Sequence, residues 1–233
     1  MTSDGLRALP PMLDEVECWL ADLDTPGAAD DVSILDAHEQ ERFSRLRSDQ
    51  HRQRYLRAHV QLRRLLAQRC GCAPRQVAFT VGLHGKPALA GASPVRFSLS
   101  HSAGLAVIAL SDTRTVGIDI EQSRFVPEAM ALANRWFQPE EAIAIASLPE
   151  AQRSASFLTC WTRKEAVLKT IGTGLTRSPA SFFVGTTVAP HRVPLESMLM
   201  DLRSVELNLP AAVLSIAATI DGDATIAARH RAP

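Results

Sequence analysis

Lysine is almost absent from this chain. Its 25 basic residues are three Lys and therefore 22 Arg, so its positive charge is carried overwhelmingly by guanidinium groups. Lys86, Lys164 and Lys169 are the exceptions, and an ammonium is a compact point charge on a flexible stem where a guanidinium is a flat, rigid fork. An excess of either charge is also missing. Lys plus Arg equals Asp plus Glu at 25 each, which excludes a global field drawing the protein to nucleic acid or to an acidic membrane surface. No basic segment followed by an apolar one opens the chain, and the longest nearly apolar run, AAVLSIAATI at 211–220, is too short to span a bilayer. The expectation is a cytoplasmic protein with no membrane and no nucleic acid among its partners. Cys18, Cys70, Cys72 and Cys160 complete no zinc pattern and are read as reduced thiols, mostly buried. A G-x-x-x-x-G-K-S/T loop is missing as well, which removes the P-loop way of cradling phosphates.

What is present suffices for a packed core: 233 residues, 46% of them hydrophobic, fit one large domain or two small ones. Val16, Cys18 and Leu20 alternate with polar neighbours and predict a strand. From Asp36 to Gln76 the spacing of apolar residues becomes helical and predicts an Arg-rich helical pair that stops at Gly71. Its start gathers Arg42, Arg45, Arg47, Arg52, Arg54 and Arg57, which suits either a solvated face paired with acids or a local anion site. A short strand and a turn at Gly85-Lys86-Pro87 follow. The text VRFSLSHSAGLAVIALSDTRTVGIDIEQS predicts strand, sharp break at His101, strand, tight turn and strand. Residues 105–110 are apolar on both faces and hence internal. Helical text resumes at Pro127, is interrupted at Pro139 and Pro149, and leads to a helix from about Ser154 to Ile171 that Gly172 and Gly174 end. The tail VELNLPAAVLSIAATID predicts two more strands.

Three segments carry chemistry. In a strand GIDIE, at 117–121, Ile118 and Ile120 face the core while Asp119 and Glu121 project together from the other side. Two carboxylates that close repel unless a cation lies between them, and hard oxygen ligands suit Mg²⁺; the plain alternative is a solvated acidic face. In a helix, Trp161, Glu165 and Lys169 fall on one face, with Lys164 beside them. Glu165 and Lys169 then make either an ordinary ion pair one turn apart or a metal ligand and a phosphate contact. The third segment, SLSHS at 98–102, puts His101 between hydroxyls, where a loop can aim the imidazole and Ser100 at a ligand. Lys164 and Lys169 both fall in the helix segment, and the third Lys, Lys86, is in the Gly85-Lys86-Pro87 turn.

Four motifs in order, HGKPAL at 84–89, FSLSHS at 97–102, VGIDIE at 116–121 and WTRKEAVLKTIGTGL at 161–175, closely resemble those of the Sfp-type 4'-phosphopantetheinyl transferases. The last fills every specified place of the pattern W-S/T-x-K-E-A/S-x-x-K-x-x-G-x-G-L, and the likeness runs from about Asp36 to Val184. The resemblance implies that Asp119, Glu121 and Glu165 bind Mg²⁺, or Mn²⁺ in its place. It implies that Ser100, His101 and Lys169 contact the diphosphate of coenzyme A and that Lys86 reaches the coenzyme's phosphates. Glu165, Lys169 and His101 become the catalytic set, with Glu165 as proton acceptor or as ligand alone. Arg42 is the implied contact of the 3'-phosphate, with Arg45, His51 and Arg54 as further candidates. Lys164 matches a family Lys, and both phosphate contact and local structure stay open to it. The chain departs from the family in Glu39, where one form of the pattern has a second basic residue, and in TRSPASF at 176–182. The implied reaction is attack by a serine of an apo acyl or peptidyl carrier protein on the β-phosphorus of coenzyme A; the alternative is a coenzyme A-binding regulator without turnover. The implied fold is α+β: a monomeric pseudo-dimer of two similar α/β halves, about 1–115 and 116–233. Each half has a small, mostly antiparallel sheet packed by helices, and the coenzyme lies in the cleft between them.

Overall fold

The computed structural model describes residues 5–25, 31–208 and 210–220. The first half runs through β1 (Leu6–Ala8), β2 (Glu17–Asp22), α1 (Ala37–Arg45), α2 (Asp49–Cys70), β3 (Phe79–Val81), β4 (Pro87–Leu89), β5 (Arg96–Ser102) and β6 (Leu105–Ser111). The second runs through β7 (Val116–Gln122), α3 (Ala129–Trp136), α4 (Pro139–Ala146), α5 (Glu150–Ile171), β8 (His191–Leu195), β9 (Met198–Asn208) and β10 (Ala211–Thr219). Two four-stranded antiparallel sheets result, in the orders β1-β2-β6-β5 and β7-β10-β9-β8, while β3 and β4 pair apart.

The unbroken apolar run of β6 is explained by the layers on either side of it. Ala106, Ile108 and Leu110 meet Ala58, Leu62, Leu65 and Leu66 of α2. The alternate residues Leu105, Val107 and Ala109 meet Val116, Ile118 and Ile120 of β7 and Leu214 and Ile216 of β10. The outer face of the second sheet is covered by α5 with α3 and α4, through Val167, Leu168, Leu158, Ala133 and Ile145 against Met200, Leu202 and Ala217. The order of layers is thus α2, first sheet, second sheet, α5.

The local stops follow the sequence. Asp36 caps α1 and exchanges hydrogen bonds with Glu39, and Ser48 caps α2. Gly71 and Gly172 end α2 and α5 with left-handed φ of 65° and 76°. Pro139 occupies the first turn of α4 and Pro149 precedes α5, so these prolines begin helices. α5 accordingly starts at Glu150, a turn earlier than the spacing predicts. The expected break at His101 is corrected: β5 continues through it to Ser102, and the chain reverses at Ala103-Gly104, with Ala103 at φ 49°. β8 has no sequence signal because Pro194 lies within it; it is tolerated there on the edge of the second sheet. Cys18 and Cys160 are buried, whereas Cys70 is exposed at the end of α2.

Candidate active site

β5 and β7 are the facing edges of the two sheets, and backbone pairing joins β5 only to β6 and β7 only to β10 among the described residues. An edge strand leaves amides without ladder partners, and here serines take them. Ser98 Oγ accepts from the Ile118 amide at 3.1 Å and Ser102 Oγ accepts from the Gln122 amide at 3.2 Å. Between them, Ser100 Oγ donates to Asp119 Oδ1 at 2.7 Å. Ser102 Oγ donates to Glu121 Oε2 at 2.9 Å. The period of two in a strand places these three serines on one face of β5 and His101 on the other. Sequence reading found Ser100 alone; the alternation S-x-S-x-S was the available signal for the other two.

α5 crosses β7 closely because Gly117 lets it. A Cβ built there would lie 2.1 Å from the Ala166 carbonyl oxygen and 2.4 Å from the Thr170 amide nitrogen. This close approach brings Lys169 Nζ to 2.7 Å from Asp119 Oδ1, with the Lys169 side chain 28% exposed and that of Asp119 8% exposed. Glu165, one turn earlier, is half-buried. Glu121 is held on its outer side by Arg124, 2.7 Å from Oε2.

The electrostatics favour added positive charge. Burial pushes the Asp119 carboxyl up, Lys169 and Ser100 pull it back, and Glu121 pushes it further up. Glu165 is also raised, first by burial and then by Asp119 and Glu121, with Lys169 the cation opposing them. Three carboxylates therefore repel one another around one ammonium, a donor set that matches a hard divalent cation. No three His, Cys, Asp or Glu side chains among the described residues already form a cluster able to hold a metal; Lys169 lies against Asp119 instead.

Across β5 the sign changes. Crowding out of water, then the charges of His59, Lys169, Arg42 and His51, hold the His101 imidazole below the usual histidine range. The His59 ring stacks on Tyr55 with centroids 4.1 Å apart, and the exposed Arg42 guanidinium stands 5.9 Å from the Tyr55 ring centre. Glu39 anchors this group: its carboxylate lies 2.7 Å from His59 Nδ1 and 2.6 Å from Arg63 Nε. Burial pushes Glu39 up, yet the bonds from His59 and the Asp36 amide and the charge of Arg63 hold it below its ordinary value. The departure at Glu39 is thus a buried structural carboxylate, and the basic side chains Lys169, Arg42, His59 and His51 gather around His101 in a chain of zero net charge.

Three expected cofactor contacts are engaged elsewhere. Lys164 is fully buried, with Nζ 2.6 Å from Glu141 Oε2, a bond to the Phe182 carbonyl and the Phe182 ring centre 4.8 Å away. It does not line the Glu165 and Lys169 face, and a phosphate contact is corrected to local structure: adjacent positions on a helix point about 100° apart. Glu141 also accepts from the Val184 and Gly185 amides, so this pair fixes the segment after TRSPASF, whose Pro179 and Phe182 are buried. Arg54 makes a two-pronged pair with Asp24 at 2.7 and 2.6 Å. Lys86 donates to the Val116 and Thr170 carbonyls at 3.0 and 3.1 Å, joining the β3–β4 turn to both β7 and α5.

Comparison with known proteins supplies the family. Residues 115–207, from just before β7 through most of β9, match the model of the 4'-phosphopantetheinyl transferase superfamily. The chain is 37% identical over 177 residues to the 4'-phosphopantetheinyl transferase HetI of Nostoc sp., covering 72% of this chain and 75% of that one. It is 35% identical over 167 residues to slr0495 of Synechocystis sp., covering 70% and 68%. It is 26% identical over 153 residues to the 4'-phosphopantetheinyl transferase Sfp of Bacillus subtilis, covering 66% and 67%. The chain belongs to the 4'-phosphopantetheinyl transferase superfamily. As an enzyme of this class it carries Asp119, Glu121, Glu165 and Lys169 inside the matched segment, while Ser100 and His101 come from the strand before it. The candidate site thus draws on both sheets.

Proposed function

We propose that this transferase moves 4'-phosphopantetheine from coenzyme A to the serine hydroxyl of an apo acyl or peptidyl carrier protein and releases 3',5'-ADP. The observation that carries the reading is the meeting of Ser100, Asp119 and Lys169 at 2.7 Å each, beside Glu121 and Glu165 and across the strand from the His101 cations. Asp119, Glu121 and Glu165 would hold Mg²⁺, which when bound neutralises charge on the diphosphate as the leaving nucleotide departs. Lys169 exchanges its partner, from Asp119 to the diphosphate. His101 donates to the same diphosphate, and Arg42 with His51 receives the 3'-phosphate. Glu165, its carboxyl pushed up by burial and by the charges of Asp119 and Glu121, accepts the proton of the carrier serine; such a base contributes about 10² to 10⁴ in rate.

The same reading takes the α2-covered and α5-covered sheets as the two halves of a pseudo-dimer, dividing near residue 115. The coenzyme lies between the halves, and the chain acts as a monomer in the cytoplasm. The test is incubation with apo acyl, peptidyl and aryl carriers, coenzyme A and Mg²⁺. The expected result is a gain of one phosphopantetheine on the carrier serine by mass spectrometry; no gain on any carrier would overturn the proposal. Release of 3',5'-ADP separates transfer from coenzyme A binding without turnover.

A further inference from the structure

Glu121 raises a problem of orientation. It is on an edge strand, partly exposed, and a flexible carboxylate there would sample several rotamers. Two groups restrain it, and both bind the same oxygen: Ser102 Oγ at 2.9 Å and Arg124 at 2.7 Å meet Oε2. Asp119 repeats the arrangement, with Ser100 Oγ and Lys169 Nζ both on Oδ1. Each strand carboxylate thus has one oxygen pinned by a serine and a cation, and neither of those bonds falls on its second oxygen. Arg124 is more than half exposed and can swing away in water; Ser102 cannot. Its Oγ accepts from the Gln122 amide at 3.2 Å, which leaves its one proton to point at Glu121.

We infer that Ser102 is a positioning residue of this transferase: it fixes the Glu121 carboxylate in the orientation that binds the divalent cation, and does so from the opposite sheet. Ser102 touches neither coenzyme nor carrier in this role and acts through Glu121. The inference rests on the transferase reading of the site. Groups that hydrogen-bond a metal-ligating carboxylate set its affinity, and their loss weakens metal binding by about 10- to 100-fold. Threonine keeps the hydroxyl at the same atom and alanine removes it, so the pair of variants separates the hydrogen bond from the packing.

The experiment is calorimetric titration of Mn²⁺ into the full-length protein without carrier, for the unaltered chain, Ser102→Ala, Ser102→Thr and Glu121→Gln, with thermal unfolding of each. Ser102→Ala is expected to weaken Mn²⁺ binding about tenfold with a melting temperature close to that of the parent, and Ser102→Thr to restore most of the affinity. In turnover, the Mg²⁺ concentration for half-maximal rate rises in Ser102→Ala while the rate at saturating Mg²⁺ stays near the parent's. Unchanged Mn²⁺ affinity in Ser102→Ala, or equal loss in Ser102→Thr, would overturn the inference. So would a Glu121→Gln protein that binds Mn²⁺ as tightly as the parent. Loss of carrier loading by the parent itself, with Mn²⁺ binding intact, would count against the proposed function and leave the Ser102 result standing.

Discussion

Lys164 and Lys169 sit five positions apart on α5 and do opposite things. Lys164 neutralises a buried glutamate, and burial lowers its pKa against the pull of Glu141. Removing one partner of such a pair strands the other charge and costs about 3–5 kcal/mol. Lys164→Met is therefore expected to unfold at markedly lower urea while a folded sample keeps the parent's KM for coenzyme A. Lys169→Met should do the reverse. Its side chain is partly exposed, so stability changes little, whereas KM for coenzyme A rises at least tenfold in steady-state assays. His101 supplies a pH test. The fold holds its pKa below the histidine value of about 6.5 that the unfolded chain retains, so the unfolded chain binds the proton first as pH falls. Its stabilising contribution is present above that value and is lost as pH drops through the lower, folded one. Saturation with 3',5'-ADP adds negative charge to the cluster and is expected to move the His101 pKa upward in an NMR titration of the ring protons.

Among the elements, the contact of β7 with α5 governs the site. Gly117→Ala would put a methyl into the Ala166 carbonyl and the Thr170 backbone, and neither can turn aside as a side-chain tip could. Overpacking of this kind costs about 1–3 kcal/mol and more where backbone must move. The expected outcome is a lowered melting temperature together with loss of transfer, as α5 is lifted and Lys169 parts from Asp119. The glycine of GIDIE is visible in sequence, but that its space belongs to a helix backbone is not, since no pattern in α5 names the strand it will cross. The same limit explains the other gaps. Period and punctuation gave β7, α5, the stop at Gly172 and the burial of β6, all local properties. The engagement of Arg54 by Asp24, of Lys86 by two carbonyls and of Lys164 by Glu141 joins residues 30, 30, 84 and 23 positions apart, distances over which a motif carries no record. His101 read as a break because S-H-S-A-G looks like a turn, and the turn begins one residue after Ser102.

At the scale of the whole molecule, the apolar layer between the sheets joins them through one shared core. Ile118 is fully buried in that layer next to Asp119, and Ile118→Ala is expected to cost about 2–5 kcal/mol in urea denaturation. Because both sheets lose contacts at once, fluorescence and circular dichroism should report one shared transition; separate midpoints would show that the layer does not couple them. The serine seam has a consequence for biosynthesis. A nascent chain completed only as far as β6 carries the three serines and the histidine but none of the three carboxylates, which arrive with β7 and α5. On the proposed reaction, chemistry at the diphosphate would wait for the later sheet to dock, and a truncated or proteolytically clipped product would not squander coenzyme A.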